Sequence, residues 1–312
     1  MHNQLDRLIW RRHRRLFLAL GALALFANVV MVIIALSSRQ TAGAHQLVGA
    51  SIHHWATYKG DYFTAYSYWL IFVYWLAGLL LMNQDLKDNF NQFLFTSGFS
   101  RQRVYWTKLR QSLVVLLGIS IVTIAVQYSL YWLMKPHGVS FTLAWPGLLT
   151  SWISGLAVAT GLFAICWFAA LIIGQTGALI VTVTGFTLSL MSVGAISQPI
   201  LTNRPFSLSG SQLTWLVIGV WLIAAIILFV WGAVLYQHLS LEHNGEYLMV
   251  PRLKRPVYLV FVIYVTGIFS WGDTNWVADV VTFLITVIFG YAWLWRPRIG
   301  ERLHQWRARH DG

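Results

Sequence analysis

The side chains with the greatest chemical reach in this sequence are few and poorly spaced for catalysis. His45, His53 and His54 fall in one short stretch. Consecutive histidines point two ways on a helix, which is poor spacing for metal ligands, so a solvated or interfacial loop is the plainer use of them. Ser154-Gly155 offers a serine, but an activated serine needs a base. No histidine lies in any other apolar run to serve as one. The single cysteine, Cys166, excludes a disulfide framework and a cysteine-based metal site. There is no phosphate-binding loop of the Walker type and no His-Glu-x-x-His zinc motif. These residues predict no catalytic, cofactor-binding or metal site, and no ATP hydrolysis by this chain.

Long apolar runs must position whatever function the chain has. Of 312 residues, 57% are hydrophobic and 10% are charged, against about 25% charged in ordinary soluble domains. The charges cluster between stretches that carry none, which lipid accommodates and a soluble core of this size does not. The formal charge of +12 does not indicate nucleic-acid binding, because the basic residues flank apolar runs instead of lining a folded face. A helix of about 20 residues crosses a hydrocarbon layer of about 30 Å. The runs are 16–36, 63–81, 113–133, 148–173, then, after Gly174-Gln175-Thr176-Gly177, 178–196, followed by 213–235, 257–271 and 277–293. They are continuously apolar, without the period-2 alternation of a membrane barrel. The expected fold is an all-α polytopic integral membrane helical bundle of about eight transmembrane helices, a six-span core plus two C-terminal spans.

Eighteen of the 22 Lys and Arg residues fall on one side of these spans. They comprise Arg7 to Arg15, Lys87 to Arg110, Arg252 to Arg255 and Arg296 to Arg309. Arg39, Lys59, Lys135 and Arg204 fall on the other. The positive-inside rule therefore puts both termini in the cytoplasm of a multi-pass cell-membrane protein. Ala42-Gly43-Ala44 resembles a signal-peptidase site, but the apolar run before it is longer than a signal core, so a retained first helix is expected. Trp and Tyr near span ends fit interfacial anchors. Gly155, Ala159 and Cys166 fit close helix packing, while Gln127 and Thr182 either bond neighbouring helices or line a path.

The stretch after the second run is not simply polar. Asn83 to Lys87 is followed by Asp88, then by Phe90, Phe93 and Leu94, whose spacing gives one face of a short amphipathic helix. Ser97-Gly98 interrupts it. Ser100 suits an N-cap for a second helix, although Arg103 stands where a capping box takes Glu or Gln. The expected shape is a helix-turn-helix elbow over 83–112 on the cytoplasmic membrane face. It serves either to present apolar side chains to a partner or only to fix topology by its charge.

The run Phe93-Leu94-Phe95-Thr96-Ser97-Gly98-Phe99-Ser100-Arg101, followed by Lys108-Leu109, resembles the coupling-helix region of type-2 ABC exporter permeases. Gly98 stands where that family frequently has Pro, and Asn91-Gln92 where it frequently has Glu-Gly. The wider plan over residues 1–235 is also similar, and the last two spans exceed the family's usual six. The resemblance implies a permease that dimerises, with itself or with a similar chain, and binds two cytoplasmic ABC ATPase subunits carrying ATP and Mg. Phe90, Phe93, Leu94, Phe95, Thr96, Ser97, Gly98, Phe99, Ser100, Arg101 and Lys108 would form the elbow seated in each ATPase. Leu5, Leu8 and Ile9 would belong to a basic interfacial helix over 1–15, and Pro199 and Pro205 to an outer gate between the fifth and sixth spans. The core then covers 16–235, a cytoplasmic loop 236–256, a helical hairpin 257–294 and a basic tail 295–312. The uncharged spans favour a peptide, lipid-like or drug cargo, with membrane lipids as the surrounding partner. The competing expectation is a non-transport membrane protein acting as an assembly or toxin-immunity factor. A membrane-embedded enzyme lacks the paired catalytic groups it needs.

Overall fold

No proline and only one glycine, Gly21, lie between His2 and Ser37, so nothing in that stretch stops a helix. The computed structural model describes residues 2–37, 55, 57, 65–88, 90–135, 137, 145–203, 210–238, 254–269 and 276–295. Its first helix, α1 (His2–Ser37), runs unbroken for 36 residues. The basic interfacial helix expected over 1–15 is continuous with the first span in this one helix. Leu5 and Ile9 are buried in the protein core.

Every regular element among the described residues is an α-helix. After α1 come α2 (Tyr68–Lys87), α3 (Phe90–Thr96), α4 (Arg101–Met134), α5 (Gly147–Ile172), α6 (Thr176–Asn203), α7 (Gly210–Gln237), α8 (Lys254–Phe269) and α9 (Trp276–Trp295). Six of them, α1, α2, α4, α5, α7 and α9, are long and apolar enough to cross a bilayer. The stretch Thr176–Leu190 of α6 and the apolar part of α8 are shorter. The chain is thus a multi-pass helical membrane protein.

The core forms where α5 packs between α2 and α7, and where α1 packs on α2 and α4. Leu70, Val73, Tyr74 and Ala77 of α2 meet Ala159, Phe163, Cys166 and Trp167 of α5. Small residues set the spacing. A Cβ on Gly155 would fall 2.3 Å from the Tyr66 ring, and one on Gly161 2.2 Å from Trp221. Buried polar groups tie helices together. Asn28 Nδ2 of α1 donates to the Thr123 carbonyl of α4 at 3.4 Å, and Ser120 Oγ of α4 donates to Tyr74 of α2 at 3.1 Å. Gln127 is buried, whereas Thr182 borders a groove between α6, α8 and α9.

At the start of this bundle Gln111 Nε2 of α4 donates to the Asp6 carbonyl of α1 at 2.9 Å. With the Asn28–Thr123 bond further along, this makes α1 and α4 parallel. The N-terminus and the α3–α4 turn therefore share one end of the bundle. His45, His53, His54, Ala42-Gly43-Ala44, Pro205 and the basic tail after Trp295 lie outside the described residues, and Pro199 lies where α6 is described in its backbone only.

Candidate functional site

The turn from α3 to α4 is dictated by Gly98. Its φ is +82°, a left-handed conformation that costs other residues about 1–2 kcal/mol and that proline cannot adopt. The Phe99 N–H donates to the Leu94 carbonyl at 3.4 Å and the Gly98 N–H to the Phe95 carbonyl at 3.2 Å. These two bonds make a Schellman close to α3. The glycine that departs from the resembled pattern is therefore the residue this turn requires. Ser100 occupies the N-cap of α4, but its hydroxyl makes no capping bond. The Ser100 carbonyl starts the helix by accepting from Val104 N–H at 3.1 Å.

Behind the elbow lies a buried polar junction built by five helices. Lys108 of α4 is 2% exposed and Asp85 of α2 is 0% exposed. Lys108 Nζ donates to Asp85 Oδ2 and to Asn91 Oδ1 of α3, both at 2.5 Å. Tyr236 OH of α7 donates to the same Asn91 oxygen at 2.8 Å. His13 Nε2 of α1 sits 3.2 Å from Asp85 Oδ2, and Arg12 of α1 pairs with Asp88 just past α2. A buried ammonium or carboxylate is tolerated only when paired and hydrogen-bonded. Here each ion has its opposite within contact distance. The Phe90 ring covers the site, with Lys108 Nζ 5.3 Å and the Arg12 guanidinium 5.7 Å from its centroid.

A second clasp joins the turn to α7. Arg101 Nη1 donates to the Gln237 carbonyl at 3.0 Å, where a cation also complements the helix C-terminus. Its guanidinium lies 4.8 Å from the Phe95 ring centroid, and Phe95 meets the Tyr236 ring edge-on at 5.7 Å.

The sequence-selected elbow residues therefore divide into two sets. Leu94 and Lys108 are buried, and Phe90, Phe95, Phe99 and Arg101 are half-buried against the bundle. Phe93, Thr96, Ser97, Gly98 and Ser100 are exposed, Phe93 at 53%. The expected apolar face of 90, 93 and 94 is split, with Leu94 turned inward and Phe93 outward. Thr96 and Ser97 use their hydroxyls locally, each donating to the Phe93 carbonyl. His13, Asp85, Asn91 and Tyr236 were not among the selected residues. For Asp85 the signal was present: Leu81, Asp85 and Leu86 keep helical spacing beyond the end of the apolar run, which extends α2 to Lys87.

The arrangement ties an exposed apolar knob to four helices through short polar contacts, of which the bonds from Lys108 are charge-assisted. Among the described residues no group of His, Cys, Asp or Glu is clustered to hold a metal. Compared with known proteins, the chain matches no family model, no curated protein and no solved structure.

Proposed function

We propose that this chain is the transmembrane permease subunit of an ATP-driven ABC exporter, with the elbow as the contact for a cytoplasmic ATPase. In this reading eight helices cross the cell membrane, α3 lies on the cytoplasmic side and both termini are cytoplasmic. The supporting observation is the pairing of an outward Phe93 with an inward junction. A force applied at the exposed side of α3 reaches α1, α2, α4 and α7 through Asn91, Lys108, Asp85 and Tyr236 without passing through a flexible segment. A loop that only fixed topology by charge has no need of such anchoring. Hydrolysis belongs to the partner, which binds ATP and Mg, and the permease acts as a homodimer or a heterodimer. The absence of charge in the middle of the apolar runs suits a peptide, lipid-like or drug cargo.

Purification from the native host tests the assignment directly. A stoichiometric ATPase bearing a phosphate loop is the expected companion, and its consistent absence overturns the reading. Phe93→Asp tests the elbow. Because Phe93 is exposed, this variant inserts and folds normally, while transport per ATP hydrolysed falls by on the order of tenfold, the loss of one well-placed contact. Unchanged transport by this variant removes the elbow from the mechanism.

A further inference from the structure

α1 extends beyond what a bilayer needs. At 1.5 Å per residue its 36 residues span about 54 Å, against about 30 Å of hydrocarbon. The apolar run begins at Leu16, so His2 to Arg15 emerge from the membrane at the N-terminal end. This emergent part has two faces. Leu5, Ile9 and His13 are buried against the bundle, and Phe17 continues that face. Arg7, Arg11, Arg14 and Arg15 are all exposed and lie on the opposite side at helical spacing.

The described carboxylates at this end, Asp6, Asp85 and Asp88, already have other partners. Asp6 pairs with Arg110 at 3.1 Å, Asp85 with Lys108 at 2.5 Å, and Asp88 with Arg12. Among the described residues none of the four outward arginines has an ionic partner. Their position supplies one. Arg14 and Arg15 sit at the hydrocarbon boundary. Arg11 lies about 8 Å and Arg7 about 14 Å from Leu16 along the axis, and long arginine side chains reach back along the helix. Trp10, 46% exposed and stacked on Phe17, fits the headgroup level.

We propose that this arginine face is a binding site for the headgroups of anionic phospholipids. A guanidinium fork donates two parallel hydrogen bonds to a phosphate, which a lysine cannot reproduce. The occupant is lipid and not free phosphate because the site is contiguous with the apolar surface of Leu18 and Phe26, both exposed above 70% and able to receive acyl chains. The site is independent of the transport reading and rests only on the chain spanning a membrane.

The test uses full-length protein in nanodiscs of phosphatidylcholine doped with a minor fraction of phosphatidylglycerol, with retained lipids counted by native mass spectrometry. Wild-type protein is expected to retain phosphatidylglycerol well above its bulk share, and raised salt should remove the excess. Each arginine near an anionic surface is worth about fivefold in affinity. Arg11→Gln with Arg14→Gln should therefore weaken retention by on the order of tenfold or more. Lys87→Gln with Arg255→Gln removes the same charge from other exposed positions at this end and should weaken retention clearly less than the arginine pair does. Retention in proportion to the bulk by wild-type protein overturns the proposal, and is the outcome if an acidic protein occupies this face. Full retention by the Arg11/Arg14 variant, or equal loss in the control variant, also overturns it. If the arginine variant fails to assemble, the wild-type ratio and its salt dependence decide by themselves.

Discussion

Lys108 joins α4 to α2 and α3 at the buried junction. It is a buried amine, 2% exposed, held by Asp85 and Asn91. Removing one member of such a pair leaves the other charge buried, at a cost of roughly 3–5 kcal/mol. Lys108→Met and Asp85→Asn should each lower thermal stability of the purified protein by about 3 kcal/mol. The double variant should cost less than the sum of the two, because the second change then removes an already unpaired charge. Strict additivity would mean the pair is not coupled. The sequence pattern singled out Lys108 by its distance from Arg101, but nothing in that pattern says that it points inward. That direction depends on where α2 ends, and α2 runs to Lys87 because Leu86 finds a place in the core.

At the scale of elements, the elbow was readable because its punctuation is local. Ser97-Gly98 stops one helix and Ser100 precedes the next, and both boundaries follow from backbone chemistry within a few residues. Gly98 has no heavy atom within 4 Å of where a Cβ would lie. Gly98→Ala therefore introduces no clash, only the cost of a positive φ. The expected loss is about 1 kcal/mol, seen as faster amide exchange in α3 with α5 and α7 unaffected. An equal change across the whole bundle would show that the turn is not a local unit. The division of the elbow into Leu94 inside and Phe93 outside was not readable, since both are apolar and adjacent. Only the packing of α3 against the bundle, which takes Leu94 into the core, decides which of them is covered. The first half of α1, expected as a basic interfacial helix, has Leu5 and Ile9 buried on one face and Arg7, Arg11, Arg14 and Arg15 exposed on the other, a division that depends on packing against α4.

At the scale of the whole molecule, the parallel course of α1 and α4 puts residue 97 and the N-terminus at one end, and residue 37 at the other. Cys166 is fully buried, so it leaves a silent background for thiol labelling. In intact cells a membrane-impermeant maleimide should label Ser37→Cys and spare Ser97→Cys, with the pattern reversed in inside-out vesicles. Labelling of both from the same side would break the proposed topology. The apolar surface facing away from the core on α4, α7 and α9 is large, which is ordinary for helices in lipid.

The amino-acid sequence alone determined that this is a helical membrane protein. Lipid imposes continuous apolar length on each helix, and continuous apolar length is visible residue by residue. It also determined the elbow's break, because a left-handed turn is a property of one glycine and its neighbours. The tertiary structure decided what the polar residues near the membrane edge do. His13, Asp85, Asn91, Lys108 and Tyr236 come from five helices, and their meeting depends on how α5 and α7 close against α2 and α4. A charge written in sequence has no inside or outside until those helices pack, and only then does burial turn it from a solvated group into a paired one.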